Sequence, residues 1–95
     1  MTKEKFTSMM NDSKVLGVLD SLLWMDADVT RRFAQAESVR RTDDEAKYAK
    51  SADIVLVNFQ TAVAQQAKHW GVDSGFVIAL MNEREETKPR KKIAA

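Results

Sequence analysis

Apolar residues recur with helical spacing along most of the chain, and the longest such stretch runs from Thr42 to Gly71. At about 100° per residue, one broad face of this stretch collects Tyr48, Ala52, Val55, Leu56, Phe59, Ala62, Val63 and Trp70. Gln66 falls on the same face. Thr42 and Glu45 have the spacing of a capping box at the start of a helix. Gly71 can adopt the left-handed conformation that ends a helix. The pattern therefore predicts one continuous helix over residues 43–70.

The same stretch carries a second, thinner apolar strip, formed by Ile54, Val57 and Ala64, almost opposite the broad face. A helix with apolar residues on two sides needs two partners. One alternative is a strand from Ile54 to Phe59, because this segment is rich in branched residues. The flanking Ala, Lys and Gln residues favour a helix instead. A break in the helix over residues 51–53 is a further possibility.

The remaining segments also have helical patterns. They predict helices over residues 1–10, 14–25, 29–41 and 74–86, with a break at residues 11–13 and a bend at residues 26–28. Asp28 is the expected cap of the helix after this bend. The sequence thus predicts an all-α fold, a small four- to five-helix bundle built around a long helix over residues 43–70. Residues 1–86 form its single domain, and residues 87–95 form a basic tail that we expect to be disordered.

Trp24 does not share the apolar face of the predicted helix over residues 14–25. It points nearly opposite Leu19, on the side of Gly17 and Ser21. In one interpretation, a partner helix approaches closely along these small residues and contacts Trp24. In the other, the helix ends near Leu23 and Trp24 folds back onto the core.

The composition indicates one globular domain, with 44% hydrophobic and 31% charged residues among the 95. The chain contains no cysteine, which excludes disulfides, thiolate zinc sites and cysteine nucleophiles and is compatible with a reducing cytosol. No apolar run approaches the roughly 18 residues that span a bilayer. The N-terminal segment lacks the apolar region of a secretory signal. We therefore expect a cytoplasmic protein.

No pattern of catalytic or metal-binding residues is apparent. His69 is the single histidine and lies near the C-terminal end of the long predicted helix. There its side chain can interact favourably with the negative end of the helix dipole. The three glycines are isolated, so no phosphate-binding loop is predicted. No serine lies in a Gly-x-Ser-x-Gly motif. The sequence predicts a protein that is not an enzyme and uses no cofactor and no metal.

The surplus of apolar helix faces favours a protein-binding module, such as an inhibitor, a regulator or an accessory subunit, that works as a homo-oligomer. The residues expected to contact the partner or another copy are Trp24, Ile54, Val57, Gln66 and Trp70. A weaker alternative is a protein that sequesters a small ligand in a pocket between subunits.

Another alternative is a nucleic-acid-binding accessory protein. Its contacts would come from arginine pairs and from the basic tail, namely Arg31, Arg40, Arg41, Lys88, Arg90, Lys91 and Lys92. The net charge of +1 does not by itself indicate a nucleic-acid partner. The acidic residues at positions 43–45 also oppose the field of the neighbouring arginines.

The nucleic-acid alternative predicts retention on heparin that falls steeply as salt is raised, because phosphate contacts release counterions. Deletion of residues 88–95 should abolish this retention, as measured by the salt concentration at which the protein elutes. Retention that survives the deletion would contradict a contact through the tail.

Overall fold

A computed structural model describes residues 3–87, and within them it contains four α-helices and no strand. The helices are α1 (Lys3–Met10), α2 (Ser13–Ser38), α3 (Glu45–Trp70) and α4 (Ser74–Thr87). The all-α prediction is confirmed. The alternative strand over residues 54–59 is wrong, because these residues lie inside α3, and α3 is also unbroken at residues 51–53. The predicted tail lies outside the described residues, apart from Thr87, which ends α4.

The C-terminal end of α3 follows the prediction. Gly71 has a φ of 69°, in the left-handed region, and its N–H donates to the Lys68 carbonyl over 3.2 Å. The N–H of Val72 donates to the Ala67 carbonyl over 2.9 Å. These two bonds form a Schellman motif, which satisfies carbonyls that the helix itself leaves unpaired.

The N-terminal end of α3 differs from the predicted capping box. The Thr42 hydroxyl accepts from the N–H of Asp44 over 3.2 Å, and the Glu45 carboxylate accepts from the N–H of Arg41 over 3.2 Å. A reciprocal box would join Thr42 and Glu45 to each other's amides. Each side chain instead stabilises the loop before α3, in which Arg41 takes a φ of 68°.

The predicted bend at residues 26–28 is wrong, because α2 continues through it from Ser13 to Ser38. Asp28 is therefore not a cap. Its carboxylate pairs with Arg31 and Arg32 one turn further along the helix. The segment contains no glycine or proline, and apolar positions continue across it at spacings of three and four. This seam comprises Val15, Val18, Leu22, Met25, Val29 and Ala36, and the polar residue Arg32 occupies the position between the last two.

The two long helices form an antiparallel hairpin. Each has 26 residues, which corresponds to about 39 Å. The seam of α3 has the same spacing and comprises Tyr48, Ala52, Val55, Phe59, Ala62 and Gln66. Spacings of three and four on both helices match the pairing of a coiled coil. Since α2 is as long as α3, the idea that the helix over residues 43–70 organises the bundle stays a prediction.

The buried core lies at one end of this hairpin. It comprises Val15, Leu19, Leu22, Val63, Ala67, Val77, Leu80 and Met81. The short helices cover this end, where the rings of Phe6 in α1 and Phe76 in α4 meet edge to face at 5.7 Å. We call residues 24–38 and 45–58 the distal arm, where Ala52 alone is buried. The Cα radius of gyration, 16.0 Å, exceeds the about 12 Å of a compact chain of this length.

Replacement of Leu80 by Ala should lower the free energy of unfolding by about 2–5 kcal/mol, because Leu80 is fully buried in the core. Ile78 in the same helix is 37% exposed, and Ile78→Ala should cost less than about 1 kcal/mol. Urea denaturation at one fixed protein concentration measures both values. Equal losses in the two variants would contradict the assigned orientation of α4.

Candidate protein interface

Large apolar side chains are exposed on the distal arm. Trp24 is 67% exposed, Val57 56%, Ile54 52% and Phe33 41%. Because α2 continues past Leu23, Trp24 remains on the outer side of the helix and does not fold back onto the core. Exposed apolar residues gathered in one region are typical of an interaction site.

One line of exposed residues follows α3 on the side away from the core. It comprises Lys50, Ile54, Val57, Thr61, Ala64 and Lys68, all of which are exposed, and we call it the outer stripe. Its spacings alternate between four and three, as in a seam between two helices. The buried residues Ala52 and Val63 lie on the opposite side of the same helix. The outer stripe thus has the spacing of a helix seam but no partner within residues 3–87.

A groove runs between α2 and α3 on the side of Trp24. It consists of two hollows, of about 130 and about 260 Å³, that share Val55. We call it the arm groove. The smaller hollow is lined by Trp24, Met25, Asp28, Val55 and Asn58. The larger is lined by Arg32, Lys47, Lys50, Ser51, Ile54 and Val55.

The charges of the arm groove are mostly positive. Three of its lining residues are cations, Arg32, Lys47 and Lys50, whereas Asp28 is the one carboxylate among them. The Asp28 side chain is only 14% exposed and pairs with Arg31 and with Arg32, the latter at 3.6 Å. Arg32 also donates to the Ser51 hydroxyl over 3.1 Å and thus bridges the two helices. The groove therefore combines an apolar floor with a basic rim.

The structure separates the five residues predicted to contact a partner. Trp24, Ile54 and Val57 lie on the distal arm, whereas Gln66 and Trp70 lie toward the covered end of the hairpin. Trp70 is half-buried against the core, and its carbonyl accepts from Lys5 Nζ over 3.4 Å. Gln66 is also half-buried, in the α3 seam. The arm residues are thus the better placed of the five to contact a partner.

The arginines considered for nucleic-acid binding have acidic neighbours. Arg31 pairs with Asp28, and Arg40 pairs with Glu37 at 3.0 Å. The backbone N–H of Arg41 donates to Glu45. The ion pairs of Arg31 and Arg40 reduce the positive field available to phosphates. The other predicted contacts, Lys88, Arg90, Lys91 and Lys92, lie outside the described residues.

An ion pair between Asp20 and Arg84 marks the boundary of the covered end, and sequence reasoning missed it. Arg84 Nε donates to Asp20 Oδ1 over 2.9 Å, and Nη2 donates to Oδ2 over 3.0 Å. This hydrogen bonding raises the pKa of Arg84 above its ordinary value, although partial burial opposes the shift. The bidentate pair joins α2 to α4 one turn before Trp24. No local signal connects two residues that lie 64 positions apart.

Within the described part of the chain, no three acidic or histidine side chains converge to hold a metal ion. None of the four helices has the length and apolarity needed to cross a membrane. Comparison of the chain with protein-family models, curated proteins and solved structures finds no match. The candidate interface is therefore interpreted from its own residues.

Gly17 lies on the same side of α2 as Trp24, and a Cβ atom added to it would meet nothing within 4 Å. Gly17→Ala should raise the free energy of unfolding by about 0.5–1 kcal/mol, because alanine favours a helix interior. Urea denaturation measures this gain, and light scattering on the same variant measures self-association. A loss of self-association would show instead that a partner helix packs against Gly17.

Proposed function

We propose that the chain is a non-enzymatic protein-binding module, of the regulator, inhibitor or accessory-subunit class, that works as a homo-oligomer. The observation that carries this proposal is the outer stripe, an exposed line of residues with the spacing of a helix–helix seam. A two-helix arm with one buried residue leaves apolar surface in water, and a second copy would cover it.

In this proposal α3 is the organising helix. One face packs inside the chain through Ala52, Val63 and Ala67, which are buried. The opposite face offers Ile54 and Val57 to another copy. Each of the two apolar faces of α3 then has a partner, one inside the chain and one in the second copy.

An antiparallel pairing of two copies of α3 is compatible with the charges of the outer stripe. The register that sets Ile54 against Val57 of the second copy also sets Val57 against Ile54, because the two-fold axis repeats each contact. In that register Lys50 lies at the level of Thr61 of the second copy, and no two lysines of the stripe face each other. The register therefore pairs apolar residues without bringing like charges of the stripe together.

The competing functions draw less support from the contacts. The ion pairs of Arg31 and Arg40 weaken the nucleic-acid alternative. The hollows between α2 and α3 are open grooves along the arm, which suit a polypeptide better than a small ligand. The lack of cysteine fits the reducing environment of the cytoplasm, where we propose that the module acts.

Light scattering at a protein concentration of about 100 μM should give at least the mass of a dimer, including in about 1 M salt, because apolar contacts are not screened. The double variant Val57→Lys, Ala64→Lys should be a monomer, because it places four charges in the proposed seam of each dimer.

Gln60→Lys is the matched control, since Gln60 is exposed on α3 but does not belong to the outer stripe. This variant should keep the mass of the unmodified protein. A monomeric unmodified protein, or equal effects of the stripe and control variants, would reject self-association through α3.

A further inference from the structure

We infer that the arm groove is a docking site for an amphipathic helix of another protein that carries acidic residues beside its apolar stripe. This inference rests on the proposed function as a binding module, and it names the chemistry of the partner. It concerns the groove between α2 and α3, which shares Lys50 and Ile54 with the outer stripe used in self-association.

The shape of the arm groove suits a helix. Its walls are two long antiparallel helices, and Trp24, Val55 and Ile54 supply apolar contacts along it. A third helix laid in such a groove packs its apolar stripe against both walls. Trp24, at 67% exposure, is the kind of large aromatic residue that often dominates the binding energy of an interface.

The charges of the groove determine which helix fits. Lys47 and Lys50 are exposed, and Arg32 lies across from them at the Ser51 contact. The one lining carboxylate, Asp28, is already paired with arginines of its own helix. A docked helix with glutamates beside its apolar stripe would bring opposite charges to this rim, whereas a basic helix would bring like charges.

A nucleic acid is the less favourable occupant of the same groove. A phosphate backbone would leave the apolar floor of Ile54 and Val55 without apolar contacts. Residues 43–45 add acidic charge where the hairpin turns into α3. A helix with both apolar and acidic residues matches both the apolar floor and the lysines of the rim.

The experiment uses the full chain carrying Trp70→Phe, so that Trp24 is its single tryptophan and reports on the groove by fluorescence. Two synthetic helical peptides of about 18 residues, or about 27 Å, share one leucine stripe. One peptide has glutamates beside this stripe, and the other has lysines. The glutamate peptide should shift the Trp24 emission to the blue and bind at least about tenfold more tightly than the lysine peptide.

Charge reversal tests the basic rim directly. Lys47→Glu with Lys50→Glu should invert the preference between the two peptides, and Lys47→Gln with Lys50→Gln should abolish it. Trp24→Ala should weaken binding of the labelled glutamate peptide by at least about tenfold in fluorescence anisotropy, because the aromatic contact is lost. Circular dichroism spectra that match the unmodified protein establish that each variant is folded.

Equal binding of both peptides, binding of neither, or a preference that survives charge reversal would overturn the inference. A single-stranded oligonucleotide that binds the groove more tightly than the glutamate peptide would overturn it as well. Light scattering on the same samples separates this result from the proposed function. If the protein is a dimer that binds neither peptide, self-association is supported and the acidic partner is rejected. If it is a monomer that binds the glutamate peptide, the acidic partner is supported and self-association is rejected.

Discussion

The pairing of α2 with α3 is the interaction on which the rest of the structure depends. Both helices present residues at spacings of three and four, so their side chains can interlock along about 39 Å. Neither short helix could replace this contact. α1 has 8 residues and α4 has 14, and isolated helices of such lengths are marginal in water. They gain order by docking on the surface that the hairpin provides.

The unequal lengths of the helices explain why apolar surface stays exposed. α4 spans about 21 Å, little more than half the hairpin, so it covers one end and leaves the other bare. At the covered end Leu19, Val77 and Leu80 are fully buried, whereas the distal arm buries Ala52 alone. The proposed self-association and the proposed docking of an acidic helix would each cover part of this exposed apolar surface. The two surfaces share Lys50 and Ile54 on α3, so a second copy and a docked helix compete for these two residues.

The errors in the sequence interpretation have a common physical origin. Aspartate both caps helices and forms ion pairs one turn along a helix, so the three residues Asp26, Ala27 and Asp28 fit either a bend or a continuous helix. The pairing of Asp28 with Arg31 and Arg32 accompanies the continuous form. Thr42 and Glu45 likewise had the spacing of a capping box, but both side chains bond to the loop before α3. Local spacing limits the possible bonds without selecting one of them.

The sequence by itself determined the helical class, the extent of α3 to within two residues and its closure at Gly71, because these features depend on local periodicity and backbone conformation. Tertiary structure decided which half of the hairpin is covered, that Trp24 is left in solvent, and that Asp20 binds Arg84. Exposure depends on where other helices begin and end in space, and a periodic pattern carries no information about that.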